Sequence, residues 1–157
     1  MPRLQHAIAI YAPPERVFNM VAEYPERMPD WWSAFEMQQR VTPPPTVIGS
    51  VSRYVYNMMG VKIKGYMSIV ELTPNTHVHM RTTSGLDASF QFIIDPFNDE
   101  DGVQRTTFAI QVDYALPGAV LGKFLNRQTL EQKNERDLHQ ALINLKALIE
   151  THVAVLP

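Results

Sequence analysis

The chain has no cysteine. That excludes thiol catalysis, cysteine-ligated zinc, haem thiolates and iron–sulfur clusters together, and it fits a reducing, cytoplasmic setting. Charge is also scarce, at 19% of residues against an ordinary ~25%. Lys and Arg number 14 and Asp and Glu 16, leaving a net charge of −2. No block of Lys or Arg occurs, so nucleic acid, which is held largely through its phosphates, is not an expected partner. No run approaches ~18 apolar residues, so no membrane-spanning helix is expected. The opening Met-Pro-Arg-Leu-Gln-His lacks the apolar core of a signal peptide. There is no G-x-G-x-x-G, no P-loop and no G-x-S-x-G elbow, which removes the usual nucleotide cradles and an elbow-mounted serine nucleophile. No cofactor and no metal centre are expected.

What is present is apolar bulk. Of 157 residues, 45% are hydrophobic, with eight Met, seven Phe, six Tyr and two Trp. A chain of this length buries roughly 70% of its unfolded surface, enough for one full core, and residues 1–157 are read as a single domain. Large adaptable side chains in this number either fill that core or line a ligand cavity.

The periodicity orders the elements. Leu4 to Tyr11 alternates as a strand, and Pro13-Pro14 ends it because proline donates nothing to a ladder. Pro14 and Glu15 suit the first turn of a helix, which runs to about Ala22. Tyr24 to Pro29 breaks it, and a second short helix carries Trp31 and Trp32 and reaches towards Phe35. After the stiff Pro43-Pro44-Pro45 turn the period becomes two. Strands are expected over 51–58, 61–72, 77–83, 88–95 and 103–115, joined by turns at Met59-Gly60, Thr73-Pro74-Asn75, Ser84-Gly85 and Asn98 to Gly102. From Gly118 the pattern is helical to about His152, with an apolar stripe of Leu138, Ala141, Leu142, Leu145, Leu148 and Ile149. One straight helix over that span would be ~50 Å long, so a bend near Gly122 or Asn126 is expected.

Short turns make an antiparallel meander, and each strand has one apolar face that needs a cover. The last helix is the only large amphipathic element available. The fold class is therefore α+β: a curved antiparallel sheet wrapped around a long C-terminal helix, with two short helices after the first strand.

The two ends of the chain carry a family resemblance. Ala12-Pro13-Pro14-Glu15-Arg16-Val17-Phe18, with Tyr24-Pro25 and Trp31-Trp32 beyond it, resembles the opening of the START/polyketide-cyclase superfamily. Leu116-Pro117-Gly118, followed by Asn134 to Glu150 with Leu142, Leu145 and Lys146, resembles its closing helix. The resemblance implies the helix-grip fold, shared with the major birch pollen allergen. It also implies an apolar cavity between sheet and helix that takes lipids, sterols, quinones or polyketide intermediates. The opening is similar, too, to a quinone-binding group with Tyr-Pro before an aromatic segment. Some members cyclise polyketides and others only carry a ligand, so the fold does not choose the chemistry.

The candidate ligand-binding residues follow from the faces. Met67, Met80, Phe90, Phe92, Phe108 and Ile110 should point at the helix, either as plain core or as cavity wall. One of Trp31 and Trp32 is expected to anchor the short helices and the other to face the cavity mouth. Tyr54 and Tyr56 share one face of their strand; if it is the inner face, their hydroxyls are the best handles for a ligand carbonyl. Traced back from Leu138, the helix stripe meets Asn134 or Glu135, Glu131, Arg127 or Gln128, and then Phe124. Arg127 and Glu131 therefore either line a partly wet cavity or form an i,i+4 ion pair in solvent. His77 and His79, beside Arg81, fit a solvated outer face better than a metal site.

The expected function is binding of a hydrophobic or amphiphilic small molecule (lipid, quinone or polyketide-like). Alternatives are a polyketide cyclase or dehydratase, and a quinone chaperone or membrane-peripheral partner with exposed apolar residues near Trp31 and Trp32. That last alternative carries peripheral membrane contact with it, and the lack of a strong charged patch leaves protein partners open, a homodimer among them.

Overall fold

The computed structural model describes residues 3–115, 118 and 127–155. The elements are β1 (Arg3–Ile10), α1 (Pro14–Glu23), a 3-10 turn (Pro25–Arg27), α2 (Met28–Trp31), β2 (Phe35–Arg40), β3 (Val51–Met58), β4 (Val61–Thr73), β5 (His77–Thr82), β6 (Asp87–Asn98), β7 (Gln104–Ala115) and α3 (Arg127–Val155). The seven strands form one sheet in the order β1-β7-β6-β5-β4-β3-β2, every pair antiparallel. The sheet curls around α3, the helix-grip arrangement expected from the alternation of its strands. The expected helical bend and Phe124 lie outside the described residues.

Local chemistry explains two of the hairpin turns. Met59 and Gly60 both have positive φ, 50° and 91°, as a two-residue hairpin matching the strand twist requires. The Asn57 side-chain oxygen accepts the Gly60 N–H at 2.7 Å and closes that turn. In the β6–β7 hairpin, Asp99 accepts the N–H groups of Asp101 and Val103 at 2.9 and 3.0 Å, and Arg105 donates to it at 3.0 Å. These donors hold the Asp99 carboxyl below its usual range, the Val103 N–H contributing most.

β2 is a strand that the periodicity does not reveal; Phe35 opens it rather than extending a helix. Its register slips between Phe35 and Met37, so Phe35 and Gln38 both face inward three residues apart. A bulge inserts an extra residue and gives a strand something close to helical spacing.

α3 packs its C-terminal half as the stripe requires: Leu138, Ala141, Leu142, Leu145 and Ile149 are buried. Its far end is clamped to the β1–α1 junction. Lys146 donates to the Ala9 carbonyl at 2.8 Å and pairs with Glu150 at 2.5 Å, and Glu150 accepts the Tyr11 N–H at 3.2 Å. Towards its start the buried face runs through Asn134 to Leu130, not through Glu131 and Arg127. The helix that lies in the grip thus ends in tight apolar packing and begins beside a polar side chain.

Candidate functional site

A small cavity lies where the first half of α3 crosses the sheet. Its walls are Leu4 of β1, Trp32 just after α2, Tyr56 and Met58 of β3, Leu86 before β6, Ala88 and Phe90 of β6, Val112 and Tyr114 of β7, and Asn134 of α3. Its volume is about 20 Å³, room for about one water molecule. No charged side chain lines it among the described residues.

Each wall residue is placed by simple rules. Tyr56 is inward on β3, and Val112 and Tyr114 continue the inward face begun by Phe108 and Ile110. Trp32 leaves α2 with extended backbone, which turns its ring into the core. There it meets Phe35 and Phe90 edge to face, with centroids 5.1 and 5.8 Å apart. Such pairs are worth about 0.5–1.5 kcal/mol beyond area burial.

The polar groups on this wall are few. Asn134 donates its amide N–H to the Tyr114 hydroxyl at 3.2 Å. Burial pushes the Tyr114 phenol up, partly offset by the Asn134 bond. Burial also pushes the Tyr56 phenol up, and the negative charge of Asp137 adds to the shift. Both therefore remain protonated at neutral pH and present hydroxyls rather than charges. The Trp32 indole N–H is buried and has no hydrogen-bond partner among the described residues. Native interiors satisfy most such groups, so this one asks for an explanation.

The other expected site residues sort clearly. Trp31 and Trp32 are both buried rather than exposed at a mouth. Trp31 is the anchor: its ring meets Phe92 at 6.1 Å, and its carbonyl accepts the Asn144 amide at 3.3 Å. Tyr54 and Tyr56 both occupy the inner face, but the two hydroxyls differ. Tyr54 donates to the Ser84 carbonyl at 2.7 Å and accepts the Leu86 N–H at 2.8 Å. It thus closes the β5–β6 turn and is not a spare handle. It reaches that turn over Gly65, where a Cβ would lie 2.8 Å from its hydroxyl and 2.1 Å from the Ser84 oxygen. Phe90 lines the cavity. Phe92, Phe108 and Ile110 are wholly buried, with Phe92 and Phe108 rings 5.6 Å apart. Arg127 and Glu131 form an ion pair at 3.6 Å with both side chains substantially in solvent. Glu131 borders a surface groove with Arg3, Leu4 and Tyr114, outside the cavity. Met67 is buried beside Gln38.

Met80 belongs to a second cavity, also about 20 Å³, under α1. Gln38, Arg40, Thr46, Ser50 and Ser52 contribute to its wall. Arg40 donates to the Glu23 carbonyl at 2.7 Å and to the Thr46 hydroxyl at 2.8 Å, and Thr46 donates to the Ala22 carbonyl at 2.7 Å. Gln38 donates weakly to the Met67 sulfur at 3.5 Å, and its side-chain oxygen is buried without a partner among the described residues.

His77 and His79 face outward. His77 donates to the Gln91 oxygen at 2.9 Å, and His79 is hydrogen-bonded to the Ser89 hydroxyl at 2.6 Å. Among the described residues no group of His, Asp and Glu is arranged to hold a metal ion, and no helix is long and apolar enough to cross a membrane.

Stepping back from Leu138 in fours reaches Asn134 and Leu130, whereas a step of three and then four reaches Glu135 and Glu131, so the helical period by itself offers both faces. Leu86 and Met58 sit at turn edges, where no period selects a face.

The solved structures that resemble this one share its fold at low identity. A Thermus thermophilus protein superposes with a TM-score of 0.77 at 18% identity, covering 96% of this chain and 99% of its own. The Zhui aromatase/cyclase from a Streptomyces species gives 0.75 at 18%, covering 97% and 95%. A START superfamily protein from Mycobacterium smegmatis gives 0.65 at 14%, covering 95% and 97%. The sequence matches none of the curated proteins. The family model described as polyketide cyclase / dehydrase and lipid transport matches residues 1–150, and the chain belongs to that family.

Proposed function

We propose that this protein binds a hydrophobic or amphiphilic small molecule between the sheet and the first half of α3. The observation that carries the reading is the uncharged, largely aromatic and aliphatic wall from Leu4 to Asn134. Apolar burial at ~25 cal/mol per Å² supplies the driving force, and a few polar groups fix orientation. A space of about 20 Å³ does not hold such a molecule as it stands. Binding therefore displaces side chains, and Met58 is suited to that, being unbranched and adaptable. The family to which the chain belongs is described by both cyclase/dehydrase activity and lipid transport, consistent with this reading.

A cyclase is the second reading, favoured by the hydroxyls of Tyr56 and Tyr114 beside the Asn134 amide. Neutral phenols in a dry site stabilise a developing enolate by donating to it.

Native mass spectrometry of the purified protein, with extraction of whatever it carries, tests the first reading. A stoichiometric lipid, isoprenoid or aromatic adduct is expected. If the protein is ligand-free and no apolar probe binds, the proposal fails. Conversion of an extracted compound on incubation would move the conclusion to the second reading.

A further inference from the structure

The unpartnered donor of a residue in the cavity wall goes further than the shape of the cavity does. Trp32 is 2% exposed, and its N–H is buried without a partner among the described residues. Indole is a donor only, so nothing in its own chemistry can satisfy that proton. Leaving a donor unmet in an interior costs far more than the same group in water. Around it the wall offers hydroxyls and one amide but no cationic side chain among the described residues. The charged groups whose fields reach the wall tyrosines are Asp137 at Tyr56, and Glu131 with Arg127 at Tyr114. Two of those three are acidic. Asp137 is in turn paired with Lys133 at 2.5 Å, which spends that lysine outside the cavity.

Resting on the binding reading above, we infer that Trp32 is the residue that selects the ligand's polar end, and that this end is an uncharged oxygen acceptor such as a ketone, quinone or ester carbonyl. The indole N–H donates to that oxygen, while the rings of Phe90 and Tyr56 face the apolar body of a planar or chain-like molecule. A carboxylate is disfavoured. It would enter an apolar wall with no counter-ion, near acidic groups, and an uncompensated buried charge is the costliest group to place there. Free fatty acids are thus poor ligands, whereas neutral carbonyl compounds of the same bulk are good ones.

Three probes of nearly one shape separate the terms: acetylnaphthalene, ethylnaphthalene and naphthoate. Each is titrated at neutral pH into the ¹⁵N-labelled full chain. The two indole N–H resonances are followed, that of Trp32 being assigned by sequential connectivity. Acetylnaphthalene is expected to bind and shift the Trp32 resonance downfield; ethylnaphthalene binds without that shift; naphthoate binds at least about tenfold more weakly than the ketone. In Trp32→Phe the ketone should weaken about tenfold and the hydrocarbon no more than about twofold. If that variant does not fold, the wild-type titration alone decides the matter.

Naphthoate binding as tightly as the ketone overturns the inference. So does a Trp32 resonance that stays in place while the ketone binds, which would mean that the donor serves a trapped water or the protein itself. Failure of all three probes overturns the binding reading on which the inference stands, whereas binding of all three without discrimination overturns the inference alone.

Discussion

Two interior cavities of the described residues are alike in size and differ in the polar groups set into their walls. The one under α1 sets Gln38, Arg40, Thr46, Ser50 and Ser52 among apolar residues such as Met28, Ile69 and Met80, and the bonds of Arg40 and Thr46 go to other groups of the same corner of the chain. The one under α3 is walled mainly by apolar and aromatic groups drawn from four strands, two helical regions and a turn. Each leaves one buried polar atom without a partner among the described residues: an acceptor on Gln38, a donor on Trp32. A one-water space with several polar groups in its wall is a hydration site. An apolar space with a single unmet donor is where an apolar molecule with one acceptor gains most. Equal volume therefore says little, and the chemistry of the wall separates a structural cavity from a binding one.

That contrast breaks most readily at Arg40. Its side chain is nearly buried, donates to two groups and lies within 3.6 Å of both Glu23 and Glu26. Arg40→Ala leaves the Thr46 hydroxyl and the Glu23 carbonyl without their donor. It should cost about 2–3 kcal/mol in urea unfolding while ligand affinity under α3 is unchanged. A coupled loss of binding would show that the two cavities are one unit.

Tyr54 and Tyr56 repeat the contrast along one strand. Tyr54→Phe removes both partners of the β5–β6 turn and should lower stability by about 2 kcal/mol. The accompanying amide hydrogen exchange should speed up at Leu86.

Alkaline titration sharpens the picture of the cavity wall. The Tyr54, Tyr56 and Tyr114 phenols are all pushed up by burial. In the unfolded chain tyrosine ionises near pH 10, so above that pH the unfolded state holds fewer protons than the native one. Stability is then full below about pH 10 and is lost as pH rises, by up to about 1.4 kcal/mol per pH unit for each phenol still protonated. Tyr56→Phe should flatten that decline, as measured by thermal melts between neutral pH and pH 11.

The smallest effect is expected at Gln38. Gln38→Met removes an unmet acceptor and a weak donor while keeping the volume, and should change stability by less than about 0.5 kcal/mol. A loss well above that would mean that a bound water there is worth more than its wall suggests.

Much of this architecture is legible in the residues. Alternation marks six of the seven strands, and the Leu138 to Ile149 stripe identifies the helix that covers them. The missing strand is instructive: the bulge at Phe35 and Met37 replaces a period of two by an interval of three, so the inward pair Phe35 and Gln38 imitates a helix. The site is less legible. Phe90, Trp32 and Tyr56 are cavity wall, whereas Phe92, Phe108 and Ile110, identical in pattern to Phe90, are filled core. Alternation reports only which face a side chain takes, and both sets take the same one.

By itself, the sequence determined the strands' inner faces, the apolar half of α3 and the absence of thiol and phosphate-cradle chemistry. Each of these follows from local period or composition. Only the tertiary structure decided that Tyr54 is spent on a turn thirty residues away, that α3 turns Asn134 rather than Glu131 inward, and that the Trp32 donor is left unmet. Those outcomes depend on which groups from distant segments arrive within hydrogen-bond reach, and no local pattern encodes that distance.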